Sequence, residues 1–444
     1  MTAAARNMTL TTLAAPVALV LVAQNLMPMV NLALVADLGD AALAGLGLGT
    51  ALYSVLLALL FGLDTGVQVL TARHVGAGRP GTARAVLRDG LYLSVALGLL
   101  LSLIAWYAGP PAVALIASDA EVQAQAAPFL RALSPAFPLL AASLAINAVC
   151  LGAGRPGLPF LATMLEVPAN AVCAALLVSG HGGLPALGSA GAGLAIVVAA
   201  ALGLGLRLLL LRRLALPAAP DEADRPGVHT LRILQLGLPV SLQQSLLFVA
   251  LSVYLAIVAG LGSAAVAAVN VITALMLPPI LIATGIGIAA ATLVGQALGG
   301  NAPAEARQWG WRAGGLGMLA VLPFTLTGLL LPDLVLGSFI ADPATMALAR
   351  PALRLLALAL LAESFGRVLS FALRGAGATA QAAAIGFAFQ WGLHLPLCWL
   401  VGIELGGGLT AIAATRLVLY AAETATVALI WRRGRWRQAF RVSD

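Results

Sequence analysis

Five charged side chains sit inside apolar runs long enough to cross a bilayer: Glu166, Glu363, Arg367, Arg416 and Glu423. On insertion scales a charge at the bilayer centre costs about 3 kcal/mol, so each of these must face a partner or a water-filled cavity. Glu363 and Arg367 stand at i and i+4, share one helix face and can pair, which leaves open both a structural ion pair and a place on a cavity wall. Glu166 has no basic residue at helical spacing, only Asn170 one turn on, and lies about 12 Å from the inner end of its helix at 1.5 Å per residue. A desolvated carboxyl without a counter-charge favours its neutral form and can take up and release a proton. Glu166 is therefore the expected proton-binding residue, with a structural carboxyl bonded to a neighbouring helix as the alternative. Arg416 and Glu423, two turns apart on the last apolar run, read as structural. Asp64, towards the cytoplasmic end of the second run, reads as a solvated or capping group.

Uncharged polar residues within the apolar runs either line a cavity or bond from helix to helix. Gln243, Asn270 and Gln24 are grouped with Glu363 and Arg367 as the candidate cavity wall, and His394 beside Pro396 is a further titratable group. The three cysteines, Cys150, Cys173 and Cys398, lie in apolar runs without metal-ligand spacing and read as small buried hydrophobes, so no metal site and no cofactor is expected. There is no HExxH, no nucleophile elbow in a suitable context and no nucleotide loop, which argues against an embedded enzyme or an ATP-driven pump.

These residues must be positioned by helices in lipid. Of 444 residues, 61% are hydrophobic and 9% charged, far from the balance of soluble domains. Unbroken apolar stretches such as Leu91 to Trp106 and Leu194 to Leu211 exclude the alternating pattern of a β-barrel. At about 20 residues per crossing, twelve spans fit, the fourth near 129–152, the tenth near 353–373 and the eleventh near 380–402. The first span has no cleavage site behind it and is expected to be retained.

The net charge of +7 rests on arginine alone, since the chain has no lysine. Arg73, Arg79, Arg84, Arg88, Arg155, Arg212, Arg307, Arg374 and Arg432 all fall on one side of the alternating loops, whereas Asp37, Asp119, Asp342 and Glu404 fall on the other. The positive-inside rule then puts both termini in the cytoplasm, and the basic balance is a topology signal rather than a sign of nucleic acid.

A single shift of 223 residues pairs Pro16 with Pro239, Gly62 with Gly285, Asp119 with Asp342, Arg131 with Arg354 and Gly152-Ala153-Gly154 with Gly375-Ala376-Gly377. The expected fold is thus an all-α integral membrane protein of twelve transmembrane helices in two six-helix lobes, related by a pseudo-two-fold along the membrane normal. The N-lobe is 1–211, a cytoplasmic linker 212–232, and the C-lobe 233–444 with a basic cytoplasmic tail. Paired lobes suit alternating access around a central site, so a secondary transporter is expected, monomeric, with the lipid bilayer and a small-molecule substrate as its partners.

The stretches FGLDTGVQVLTARHVGAGRPGTAR, GLPVSLQQ, ATGIGIAAATLVGQALGGNAPAEAR and LRGAGAT resemble the multidrug and toxic compound extrusion (MATE) family, in the right order over residues 10 to 431. The resemblance implies a V-shaped transporter of the inner membrane that exports organic cations or amphiphilic drugs in exchange for H+ or Na+. It also implies departures. Asn31 stands where members commonly carry a first-helix aspartate; Asn170 matches a fifth-helix polar position, and Ala174 replaces its neighbour one turn on. Glu363 matches a tenth-helix acid eleven residues before the LRG arginine, here Arg374, whereas the seventh-helix glutamate of some members falls near Leu247. The coupling-ion or proton site expected from these positions is Glu166, Asn170 and Asn31. The wider superfamily leaves a flippase for lipid-linked precursors as the alternative; that function needs a strongly cationic cavity.

Overall fold

A computed structural model describes residues 3–180, 183, 185–212 and 225–438, so most of the linker and the end of the basic tail lie outside the described residues. The first copy of the repeat runs α1 (Ala3–Ala36), α2 (Asp40–Gly76), α3 (Pro80–Tyr107), short α4 (Gly109–Ile116), α5 (Ala120–Leu133), α6 (Ala136–Gly152), α7 (Gly157–Ser179) and α8 (Ser189–Leu211). The second runs α9 (Thr230–Ala259), α10 (Ser263–Gly299), α11 (Pro303–Leu330), short α12 (Pro332–Gly337), α13 (Pro343–Gly375), α14 (Thr379–Phe387), short α15 (Leu395–Trp399) and α16 (Gly408–Arg433). Eleven helices, with the stretch from α14 through α15 taken as one, are long and apolar enough to cross a membrane; the bent α5/α6 pair makes the twelfth span.

The helix boundaries repeat the shift found in the sequence. Pro80 and Pro303 open α3 and α11, where a missing N–H costs nothing. Asp119 accepts from the Glu121 N–H at 2.9 Å to cap α5, and Asp342 accepts from the Thr345 N–H at 2.8 Å to cap α13. The Thr345 hydroxyl and N–H on the Asp342 carboxylate hold its pKa below the usual range. Ahead of α3 the chain turns through Gly78 at φ 72°; at the equivalent place ahead of α11 stands Asn301 at φ 56°, asparagine being the side chain that best tolerates the left-handed region.

The copies differ where prolines differ. The fourth span was expected as one helix; it breaks between α5 and α6 with a bend of 49°, because Pro135 cannot donate to the preceding turn. Leu358 occupies the equivalent position in the second copy, and α13 runs unbroken for 33 residues, well beyond the expected 353–373. The eleventh span was expected as a plain helix over 380–402. It is instead interrupted by two π-helical segments, Ala388–His394 and Leu400–Glu404, on either side of the short helix that contains Pro396.

By contacts the chain divides into two compact units, and the boundaries cut two helices. One unit is Leu19–Ser241; the other joins α1 up to Ala18 to the chain from Leu242 onward. By contacts the start of α1 clusters with the second copy, and the start of α9 with the first. Leu10 and Ala14 belong to a core with Ile286, Trp309, Leu369 and Trp431. Within the other unit, Gly62 of α2 and Gly237 of α9 meet backbone to backbone, and the Ser241 hydroxyl donates to the Leu59 carbonyl at 2.7 Å. The start of α9 is also pinned to α3. Asp89 accepts from the His229 N–H at 3.0 Å and from Arg88, whose guanidinium donates to the Arg225 carbonyl at 2.9 Å.

Small residues let helices approach, and the repeat reuses the same contact. A Cβ on Gly152 would stand 2.7 Å from the Gln68 carbonyl of α2, and one on Gly375 would overlap the Ala291 carbonyl of α10, the position equivalent to Gln68. Gly375→Ala is accordingly expected to destabilise its unit by about 1–3 kcal/mol, whereas Gly315→Ala, facing open space within α11, is expected to be neutral or slightly stabilising. Thermal unfolding in detergent, followed by tryptophan fluorescence, separates the two; equal midpoints would contradict the packing argument.

Burial holds the His229 imidazole below its usual pKa, with the Asp89 carboxylate pulling the other way more weakly. A depressed histidine contributes stability that is complete above its unfolded value near 6.5 and is lost as pH falls below it. The unfolding midpoint should therefore decline from pH 6.5 to 5, and His229→Gln should flatten that decline. A mutant with the wild-type slope would show that His229 is not the group responsible.

Candidate functional site

In the unit Leu19–Ser241 the polar residues of the membrane interior come together in two tiers on α7. The upper tier is Asn170, whose amide donates to the Asn31 side-chain oxygen of α1 at 2.9 Å; both residues are buried, and the Asn170 Oδ1 has no partner. The position expected to carry a first-helix carboxylate thus joins a neutral amide pair. One turn earlier, Glu166 forms a bidentate ion pair with Arg207 of α8, Nη1 to Oε1 at 2.5 Å and Nη2 to Oε2 at 3.0 Å. The Arg207 Nε donates to the Asn147 oxygen of α6 at 2.9 Å.

This corrects the expectation that Glu166 lacks a basic neighbour. Its partner is 41 residues away in sequence and 3% exposed, so no helical spacing could reveal it. Arg207 lies one turn from the basic end of its span, where arginines commonly reach to the interface, so its position alone does not mark it as a partner. The sequence carried one usable signal: a guanidinium in GLGLRLLLL next to Gly203 and Gly205. Gly203 packs so closely on the Glu166 carboxylate that any Cβ there would overlap it. Asp64 is not a cap either. It lies twelve residues before the end of α2, and its Oδ1 is buried without a hydrogen-bond partner.

In the other unit, Glu363 of α13 pairs with Arg367 one turn on, as the spacing suggested. The Thr424 hydroxyl donates to the Ala362 carbonyl at 2.6 Å and brings Glu423 of α16 beside this pair. Glu363 lines a cavity of about 630 Å³, mouth included, whose walls also carry Arg416, Tyr254, Tyr420, Met276 and Ile272. Arg416 was read as structural and instead faces this cavity, its Nε and Nη2 donating to the Tyr420 hydroxyl at 3.1 and 2.9 Å. Its guanidinium also stacks on the Tyr254 ring at 5.5 Å.

The remaining expected wall residues do not join this cavity. Arg367 is held by Glu363 outside the lining set, Gln243 accepts from Arg374 at 3.0 Å, and Asn270 lies on the exposed face of α10. Gln24 is half-buried on α1 in the first-described unit. His394 is buried in the first π-helical segment, stacked on Tyr254 at 5.7 Å, with neither ring nitrogen hydrogen-bonded. Among the described residues no group of three His, Cys, Asp or Glu side chains is placed to hold a metal ion.

Comparison with known proteins follows the same two copies. A family model described as MatE matches residues 16–176 and 239–400. "Probable multidrug resistance protein NorM" of Pseudomonas putida is 30% identical over 410 residues, 90% of this chain and 88% of that protein. "Multidrug resistance protein PmpM" of Pseudomonas aeruginosa is 26% identical, covering 89% of this chain and 83% of the relative. A solved structure described as the outward-facing conformation of a multidrug resistance MATE family transporter superposes with a TM-score of 0.89 at 20% identity, over 97% of this chain and 96% of that one. A transporter from Pyrococcus furiosus, described as having a binding pocket of reverse polarity, superposes at 0.88 with 20% identity, over 96% and 95%. These structures share the two-lobe, twelve-helix fold.

Removing one member of a buried ion pair leaves an uncompensated charge, at about 3–5 kcal/mol, whereas replacing both members is tolerated. Arg207→Met should therefore destabilise strongly, and Glu166→Gln combined with Arg207→Met should recover most of the loss. A thermodynamic cycle from thermal unfolding checks this; additive effects would mean that the two side chains act independently.

Proposed function

From the premise that this chain belongs to the MATE family of multi-pass membrane transporters, we propose that it is a secondary antiporter, exporting organic cations or amphiphilic drugs in exchange for H+ or Na+ by alternating access. The observation that carries the reading is the cavity lined by Glu363: an apolar, tyrosine-rich wall with an intramembrane carboxylate beside Arg416, which suits an amphiphilic ligand that is largely apolar and bears charge. The names of the relatives, multidrug resistance proteins, point the same way. The distribution of arginines supports placement in the cytoplasmic membrane with both termini inside. The chain acts as a monomer in this reading, each copy of the repeat supplying its own polar cluster.

Coupling is assigned to Glu166, with Arg207, Asn170 and Asn31 around it. A proton or a sodium ion on the carboxylate cancels the ion pair and releases Arg207 as a lone buried charge. That state costs several kcal/mol unless the surrounding helices rearrange, so ion binding and conformational change become one event. In vesicles, ethidium efflux should follow the gradient that drives it, and collapsing the H+ and Na+ gradients separately identifies the ion. Glu166→Gln made together with Arg207→Met, the combination that leaves no buried charge unpaired, should abolish gradient-driven efflux while leaving dye binding in place. Unchanged efflux in that variant would remove Glu166 from the mechanism, and absence of any gradient-driven dye efflux in the wild type would favour the flippase.

A further inference from the structure

The unit that contains α10, α13 and α16 places two opposite charges on one cavity wall, and only one of them is satisfied. Glu363 is paired with Arg367, which also faces Glu423. Arg416 has no carboxylate within ion-pairing distance among the described residues; its hydrogen bonds go to the neutral Tyr420 hydroxyl, and its Cζ lies 5.5 Å from the centre of the Tyr254 ring. A guanidinium inside a membrane-spanning bundle requires a counter-charge or a wet cavity, and Arg416 lines the cavity. Two N–H donors go to one phenol oxygen, which leaves the outer edge of a planar fork suited to a carboxylate.

The surroundings make Arg416 an anchor rather than a mobile charge. The Tyr254 ring packs against the guanidinium, and the Tyr420 hydroxyl holds its Nε–Nη2 edge. The rest of the lining is aliphatic, with Val269, Ile272, Met276, Leu277 and Leu409 among it, a wall that suits a flat aromatic body. With Glu363 on the same wall, the cavity presents one negative and one positive group to whatever enters.

We propose that Arg416 is a ligand-binding residue and that the cavity selects zwitterionic aromatic amphiphiles, whose carboxylate meets Arg416 while the cationic end faces Glu363. This rests on, and narrows, the export function proposed above. A purely cationic ligand would add a second cation to Glu363, which Arg367 already pairs, and leave Arg416 without a partner; a zwitterion brings Arg416 its carboxylate.

Rhodamine 110 and rhodamine 123 isolate the carboxylate, since the second is the methyl ester of the first on the same ring system. Fluorescence anisotropy with the purified full-length protein should show rhodamine 110 binding roughly tenfold more tightly than rhodamine 123. Arg416→Gln should bring the two affinities within about twofold, chiefly by weakening rhodamine 110. Arg416→Lys, which keeps the charge but not the fork, should retain a reduced preference and serves where the glutamine variant does not fold. Equal affinity of the wild type for the two dyes overturns the proposal, as does failure to bind rhodamine 110 or a preference unchanged in Arg416→Gln. Gradient-driven ethidium export, measured separately in vesicles, keeps the two readings apart: export without a carboxylate preference removes the zwitterion site alone, and a preference without export removes the antiport alone.

Discussion

No side-chain charge can rest in hydrocarbon without an answering group, and the layout of this protein is set by where each charge finds one. Glu166 finds Arg207 across α7 and α8. Glu363 finds Arg367 within α13. Arg416, without a carboxylate at ion-pairing distance among the described residues, rests on a phenol hydroxyl and an aromatic ring, and lines a cavity. The first arrangement ties three helices together, the second stiffens one, and the third leaves a demand that a ligand can meet. Structure and function therefore differ by the degree to which a buried charge is satisfied.

The scaffold that holds these charges is built from small residues, and it is duplicated more faithfully than the chemistry it holds. Gly152 and Gly375 rest on equivalent backbone carbonyls, and Asp119 and Asp342 cap equivalent helices. The charged positions do not follow: Phe389 stands opposite Glu166, and Leu140 opposite Glu363. Backbone contacts tolerate little change because a single added methyl group would collide with a carbonyl. Glu363 faces a cavity, where no neighbour fixes its size, whereas Glu166 is matched by partners of its own, Arg207 and Gly203.

Irregular backbone marks where the copies part. Pro135 breaks the fourth span in the first copy, whereas α13 continues through the equivalent Leu358. In the second copy the irregularity falls later, in the π-helical segments around Pro396, and one of them seats His394 against Tyr254 of the cavity wall. A π-helical turn widens the helix locally and re-aims the side chains that follow it. The eleventh span thus gains a different presentation from α7, its counterpart.

The sequence by itself determined the number of spans, the duplication, and the pairing of Glu363 with Arg367. All of these depend on lengths, local backbone chemistry or spacing along one helix, and such rules act between residues close in the chain. It also carried the family resemblance, with Asn31 in place of an acid. Only the tertiary structure decided that Asn31 and Asn170 form one amide pair, that Glu166 is answered by Arg207, and that Arg416 lines a cavity instead of bracing a helix. Each of those facts depends on which faces of separate helices meet. A bilayer gives apolar faces nearly equal energy in many orientations, so close packing of small residues, and not hydrophobic periodicity, selects the partner.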